Sequence, residues 1–254
     1  MSGGPRTLAD PWIALRALTP ARIALGRAGG SLPTAEVLDF SAAHAAARDA
    51  VWTALDLDRL EADLSPIGLP VLRLSTLAPD RATYLRRPDL GRLLDEASGA
   101  LLAGAAPPDG CDVALVVGDG LSATGVQAHG AALAIDLAGR LRERGFRLGP
   151  VALVRQARVA VEDPVGAALR ARAAVILLGE RPGLGSPDGV GAYLVLGPRP
   201  GRTDAERNCV SNVRPGGLPV AAAAELLAWL VGESLRRALS GVGLKDERGL
   251  LGAG

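Results

Sequence analysis

Three short apolar runs, at residues 113–117, 151–154 and 173–178, recur in the second half of this 254-residue chain with helix-length segments between them. Apolar runs of this length, bounded by turn residues, read as strands covered on both faces. Their alternation with helical segments reads as a parallel sheet with right-handed crossovers. The pattern predicts an α/β fold, a Rossmann-like parallel sheet flanked by helices. Segments 121–144 and 164–172 supply the crossovers, 193–196 a further strand, and 220–239 a closing amphipathic helix.

Ahead of the alternation the pattern is helical and irregular. Pro33 and Thr34 open a helix, with Thr34 as N-cap and Glu36 placed to favour the first-turn dipole. Val37, Phe40, His44, Val51 and Leu55 fall on one face of it. Residues 71–74 read as a strand, 78–80 as a turn and 89–102 as a helix. Pro107, Pro108 and Gly110 then end whatever precedes them. The expected organisation is a mainly helical N-terminal region, 1–107, and a Rossmann-like region, 108–254.

Charge and cysteine content remove several function classes. Lys+Arg number 28 against 27 Asp+Glu, a net charge of +1, so there is no basic surplus for nucleic acid or an anionic membrane. Cys111 and Cys209 are too few and too far apart for a disulfide framework or a zinc site. The N-terminal residues lack the basic start and apolar core of a secretory signal. The longest apolar stretch, 220–231, is interrupted by Glu225 and is too short to span a bilayer. A cytoplasmic protein is expected. Aromatics are only 3% of residues, which predicts helix-on-sheet packing through small side chains.

Two clusters are candidate sites. The strand at 173–178 runs into Gly179-Glu180-Arg181-Pro182-Gly183, which places Glu180 at the carboxyl end of a buried strand, where open α/β sheets bind ligands. Asn208-Cys209-Val210-Ser211-Asn212 is too polar for core and, with Pro215-Gly216-Gly217 after it, reads as a loop. Taken singly, Glu180 is equally explained as a surface ion-pair partner and Cys209 as a buried thiol. Gly118-Asp119-Gly120, with Ala123 after it, meets the dinucleotide fingerprint in relaxed form, but no acid follows the next strand at Arg155. A tight turn with Asp119 capping a helix accounts for it better. Lys245 is the only lysine, so there is no P-loop, and no G-x-S-x-G elbow occurs. His44 and His129 have no metal-spaced partners and read as packing or surface residues.

Several stretches together resemble the small (light) subunit family of ethanolamine ammonia-lyase. They include Thr19-Pro20-Ala21-Arg22-Ile23, Leu32-Pro33-Thr34, Ala43-His44-Ala45 and Tyr84-Leu85-Arg86-Arg87-Pro88-Asp89-Leu90. In the second half they are Gly118-Asp119-Gly120-Leu121-Ser122-Ala123, Gly179-Glu180-Arg181-Pro182-Gly183-Leu184 and Asn208-Cys209-Val210-Ser211-Asn212. The resemblance runs from about residue 10 to Lys245.

It implies an adenosylcobalamin-dependent lyase that converts ethanolamine to acetaldehyde and ammonia by a radical route. In such an enzyme a large subunit built on a TIM barrel holds the amino alcohol, and the small subunit covers the other side of the corrin. By resemblance, Val159, Glu180 and Cys209 contact the cobalamin, catalytic side chains lie on the large subunit, and this chain alone is inactive. The family also suggests six large and six small subunits. No D-x-H-x-x-G motif surrounds either histidine, so the cofactor is expected to keep its own benzimidazole. The N-terminal segment, with Arg22, Arg27 and the helix around His44, is expected to dock on the large subunit. Leu8, Trp12, Ile13 and Leu15 form a short apolar segment suited to microcompartment targeting or to capping the fold. A nucleotide-binding module and a purely structural assembly subunit stay open as competing readings.

Overall fold

The computed structural model describes residues 7–248; residues 1–6 and 249–254 of the two expected regions lie outside the described residues. In chain order the elements begin with α1 (Thr34–Trp52), α2 (Leu57–Leu64), β1 (Val71–Ser75), α3 (Arg81–Arg86), α4 (Glu96–Ala105) and β2 (Cys111–Gly118). They continue with α5 (Ala123–Gly125), α6 (Ala131–Glu143), β3 (Val151–Arg155), α7 (Glu162–Ala168), β4 (Ala171–Gly179), β5 (Val190–Leu196), β6 (Arg207–Val213) and α8 (Val220–Arg237). Asp56, Asp80 and Asp95 cap α2, α3 and α4, each carboxylate accepting a first-turn backbone N–H. Asp95 therefore starts the helix expected from residue 89 only at Glu96, after a separate 3-10 turn at Leu90–Arg92. Likewise Pro33, not Thr34, is the N-cap of α1.

The strands form one sheet in the order β1-β3-β2-β4-β5-β6. The first four are mutually parallel, β5 runs antiparallel to β4, and β6 runs antiparallel to β5. The α/β class holds, but the parallel, Rossmann-like sheet is corrected to a mixed one. The reason lies in the link between β4 and β5, residues 180–189, which contains no helix. A parallel return needs a crossover of about a dozen residues or more, whereas an antiparallel one needs only a loop. β1, upstream of the proline-rich link, joins the sheet edge beside β3.

Alternation along the strands divides the core into two layers. Val113, Leu115 and Val117 of β2 face α2, α6 and α8, while Ala114 and Val116 face α4 and α7. Leu133, Leu137 and Leu141 recur every fourth residue on α6 and are fully buried. Each such side chain contributes about 1.5–3 kcal/mol relative to exposure.

The helix expected over 121–144 is interrupted. A π-helical turn, Val126–Gly130, joins α5 to α6 with helical backbone throughout. The segment expected as a loop around Cys209 is edge strand β6, hydrogen bonded to β5. Only Arg207, Val210 and Val213 of β6 are buried, so its polarity reflects a strand packed on one face.

The expected apolar stripe of α1 points largely outward. Val37 is 45% exposed and Phe40 46%, and His44 stacks on Phe40 with ring centroids 6.4 Å apart. Leu8, Trp12, Ile13 and Leu15 are also exposed, so this segment does not cap the fold. No helix among the described residues is long and apolar enough to cross a membrane.

Candidate functional site

The chain leaving β2 turns to the face covered by α6, and the chain leaving β3 turns to the face covered by α7. Loops that part in this way leave a crevice at the carboxyl edge of the strands, the usual ligand position in an open α/β sheet. A cavity of about 400 Å³ lies there. Gly120 and Leu121 after β2, Ala157, Arg158 and Val159 after β3, and residues 178–181 at the end of β4 form its walls, with Tyr84 and Tyr193. Val159 and Glu180 thus border one cleft. Cys209 stands opposite Tyr193 in the β5–β6 register, just beyond the lining.

Glu180 is half-buried and held from two sides. Its backbone N–H donates to the Gly189 carbonyl at 2.9 Å, and its Oε1 accepts the Asn212 N–H at 3.0 Å. The carboxylate lies where side chains at the start of β5 and just before it would otherwise stand. A Cβ at Gly189 would meet Oε2 at 2.6 Å, and one at Gly191 would meet Oε1 at 3.1 Å. Glu180 therefore links the end of β4 to the Asn-Cys-Val-Ser-Asn strand.

Asp119 does not cap the helix after β2. Ser122 does, accepting the Gly125 N–H, while the Asp119 carboxylate turns to the β3 loop and accepts the N–H groups of Gln156 at 3.0 Å and Ala157 at 2.9 Å. Gln156 has φ +55°, a conformation that few non-glycine residues adopt, and Asp119 holds it there. Burial pushes Asp119 above its ordinary pKa, against the pull of the Ala157 N–H and of Arg81, whose guanidinium is 3.6 Å away. Fully buried Tyr84 donates its hydroxyl to the Ala157 carbonyl at 2.9 Å. Desolvation, followed by the Asp119 charge, raises the Tyr84 phenol and keeps it a donor. This network presents residues 157–159 to the cleft.

Cys209 is exposed. Partial desolvation, with Glu180 adding to it, raises its pKa, so it stands as a thiol rather than a nucleophilic thiolate. It suits a contact surface better than covalent chemistry. Burial also raises the Tyr193 phenol.

Two further groups fix the surroundings. The loop carrying Glu180 is tied to the helix after β2 by Ser122, whose hydroxyl donates to the Pro187 carbonyl at 2.9 Å, and by His129, whose Nε2 lies 3.2 Å from Asp188 Oδ2. His129 lies in the π-helical turn, so the local widening of the helix accompanies its reach to the loop. Outside the cleft lining, Arg207 of β6 pairs with Glu162 and Asp163 at the start of α7. Nη1 is 2.5 Å from Glu162 Oε1, and Nη2 is 2.6 Å from Asp163 Oδ2. All three side chains are buried. The cluster ties the helix after Val159 to the strand bearing Cys209.

The resemblance nominates Val159, Glu180 and Cys209, and strand-end position also marks Glu180; the hydrogen bonds that hold Glu180 and the loop before Val159 are not legible in the sequence. Tyr84 lies within a motif that could have flagged it, but Arg207 stands 45 residues from Glu162 and 44 from Asp163, which leaves no local signal.

Together these features define an α/β protein with a cleft at the carboxyl edge of a mixed sheet, lined by apolar surface, two arginines, a carboxylate and two tyrosines. A family model described as "Ethanolamine ammonia-lyase light chain" matches residues 9–245, and the chain belongs to that family. It is 56% identical to the ethanolamine ammonia-lyase small subunit of Ralstonia nicotianae, over 93% of this chain and 88% of that one. It is 52% identical to the small subunit of the same name from Xanthomonas campestris pv. campestris, over 96% of this chain and 91% of that one. The Bradyrhizobium diazoefficiens small subunit is also 52% identical, over 93% and 91%.

Proposed function

We propose that this chain is the small subunit of an adenosylcobalamin-dependent ethanolamine ammonia-lyase, and that its carboxyl-edge cleft covers one side of the corrin while a large subunit holds ethanolamine. The observation that carries this reading is the convergence of Val159 and Glu180 on one cleft, with Cys209 across from its Tyr193 wall. The chemistry of the lining fits. A corrin offers a flat apolar ring fringed with carboxamides, and the cleft offers apolar contact from Ala157, Val159 and Leu178 beside the Glu180 acceptor. A cavity of about 400 Å³ takes an edge of so large a molecule, so the remainder of the enclosure falls to the partner.

When bound, adenosylcobalamin supplies the cobalt–carbon bond whose homolysis starts the conversion of ethanolamine to acetaldehyde and ammonia. The residues of this chain bind and orient. Glu180 accepts from an amide arm, Val159 and Cys209 provide small contact surfaces, and the Asp119–Gln156 network fixes the loop that bears Val159. Exposed Val37, Leu38, Phe40 and Trp52 of α1 provide apolar surface for docking on the large subunit. Assembly as six large and six small subunits, in the cytoplasm or within a bacterial microcompartment, belongs to the same proposal.

The dinucleotide reading is disfavoured by the turn after β2. The Leu121 N–H donates to the Gly179 carbonyl at 2.8 Å, the Gly125 N–H to Ser122, and Gly120 is packed against the Gly179 backbone. Two amides of the turn that would face a pyrophosphate, those of Leu121 and Gly125, are thus engaged within the fold.

Ethanolamine-dependent acetaldehyde release tests the proposal. We expect activity from the co-expressed pair with adenosylcobalamin and none from this chain alone; a stable complex without activity would overturn the lyase reading. In the assembled enzyme, Glu180→Ala should weaken cobalamin binding roughly ten- to a hundredfold, about 1.5–3 kcal/mol, with Glu180→Gln falling between it and wild type. Unchanged affinity would remove Glu180 from the contact surface.

A further inference from the structure

The same cleft contains a fixed cation that the three expected positions leave out. The Arg158 guanidinium lies over the Tyr84 ring, 4.2 Å from its centroid, and Nη2 donates to the Tyr84 carbonyl at 3.1 Å. Its backbone N–H donates to the Gly91 carbonyl at 2.8 Å. Its stem fills the space beside Gly91, where a Cβ would meet Arg158 Cγ at 2.7 Å. Tyr84 is itself immobile, being fully buried and bonded to Ala157.

An arginine stacked and tethered in this way is already ordered, so little rotamer freedom is lost when it donates to a ligand. Its Nε is buried with no hydrogen-bond partner, and among the described residues Nη1 has none either. Arg181 borders the cleft too, but it is exposed, and its guanidinium has no hydrogen-bond partner among the described residues.

Arg158 and Glu180 are complementary in kind. Ionised glutamate only accepts hydrogen bonds and guanidinium only donates them, whereas a primary carboxamide presents both an N–H₂ and a C=O. A cleft bordered by one of each is suited to a carboxamide and distinguishes it from a carboxylate, which has no N–H for the glutamate. We propose that Arg158 is the donor half of a carboxamide-reading pair, taking the carbonyl of a corrin amide arm while Glu180 takes an amide N–H. This rests on the cofactor reading above and adds a selectivity to it.

The test uses the assembled two-subunit enzyme and two probes, hydroxocobalamin and a derivative with one propionamide hydrolysed to the acid, over the set of singly hydrolysed isomers. Binding is read by equilibrium dialysis, independently of turnover. Arg158→Met, which keeps much of the stem, should weaken hydroxocobalamin binding roughly ten- to a hundredfold. For one isomer it should also move the amide-to-acid affinity ratio further toward the amide, because Glu180 then faces the carboxylate unopposed. Glu180→Gln should move the ratio of the same isomer toward the acid.

A purely structural role for Arg158 would weaken both probes equally, and that result overturns the proposal. So does an unchanged affinity in Arg158→Met while Glu180→Ala still binds weakly, which leaves the cofactor reading standing. If wild type binds neither probe, both readings fall together. Should Arg158→Met fail to assemble, Arg158→Lys, which keeps the charge without the planar fork, should weaken hydroxocobalamin measurably while preserving the ratio; wild-type affinity there would also overturn it.

Discussion

Replacing Arg207 with methionine is expected to lower the unfolding free energy of the chain by about 3–5 kcal/mol, the usual consequence of removing one partner from a buried ion pair. Arg207, Glu162 and Asp163 are almost wholly inaccessible, and Asp163 meets the guanidinium through both oxygens, at 3.0 and 2.6 Å. Without Arg207 two buried acids face each other. Burial already holds Glu162 well above its ordinary value near 4.5, against the attraction of Arg207. A group raised in this way binds more protons folded than unfolded. Its contribution to stability is complete below the unfolded value and lost as pH rises through the folded one.

Removing the arginine raises the folded value further and widens that window. The deficit of Arg207→Met should therefore be larger at about pH 8 than at about pH 5. Denaturant titrations of both proteins at the two pH values measure it. A deficit under about 1 kcal/mol, or one indifferent to pH, would contradict the buried cluster.

Gly179→Ala should cost about 3 kcal/mol or more, at or beyond the upper end for overpacking, because the obstruction is backbone. A Cβ there would stand 1.8 Å from the Ser122 carbonyl oxygen and 2.7 Å from that of Asp119. Gly120, with φ +56°, approaches from the other strand end, its own Cβ position only 2.2 Å from the Gly179 oxygen. Relief requires the ends of β2 and β4 to separate, which breaks the bond from Leu121 to Gly179 and carries Glu180 out of place. Gly185, with nothing within 4 Å of its Cβ position, is the control, and Gly185→Ala should change stability by no more than about 0.5 kcal/mol. Comparable midpoints for the two variants would refute the close packing.

Much of this architecture is legible in residue pattern, and the legible part has a physical signature. β2, β3 and β4 are buried on both faces, so they appear as uninterrupted apolar runs, and the positions after them mark the carboxyl edge where Glu180 and Val159 lie. β6 buries three of its residues and exposes a polar face, which removes the apolar run and makes an edge strand resemble a loop. Strand direction was decided by the brevity of the β4–β5 link rather than by strand composition. Asp119 illustrates another limit. An acid before a helix start favours capping locally, but here the amides of Gln156 and Ala157, 37 and 38 residues away, compete for it and prevail. Arg207 and His129 find partners in the same way, across distances that local periodicity does not encode.

The position of β1 also bears on how the chain is made. Arg73 pairs with Leu153, 80 residues downstream. At roughly 5–20 residues per second of synthesis, β1 leaves the ribosome about 4–16 s before its partner strand exists. Until then Val71, Leu72 and Leu74 have no sheet to join, and an unpaired apolar strand is a template for wrong pairings. Vectorial folding should thus close the sheet against chain order, with the central strands assembling first and the earliest-made strand docking last.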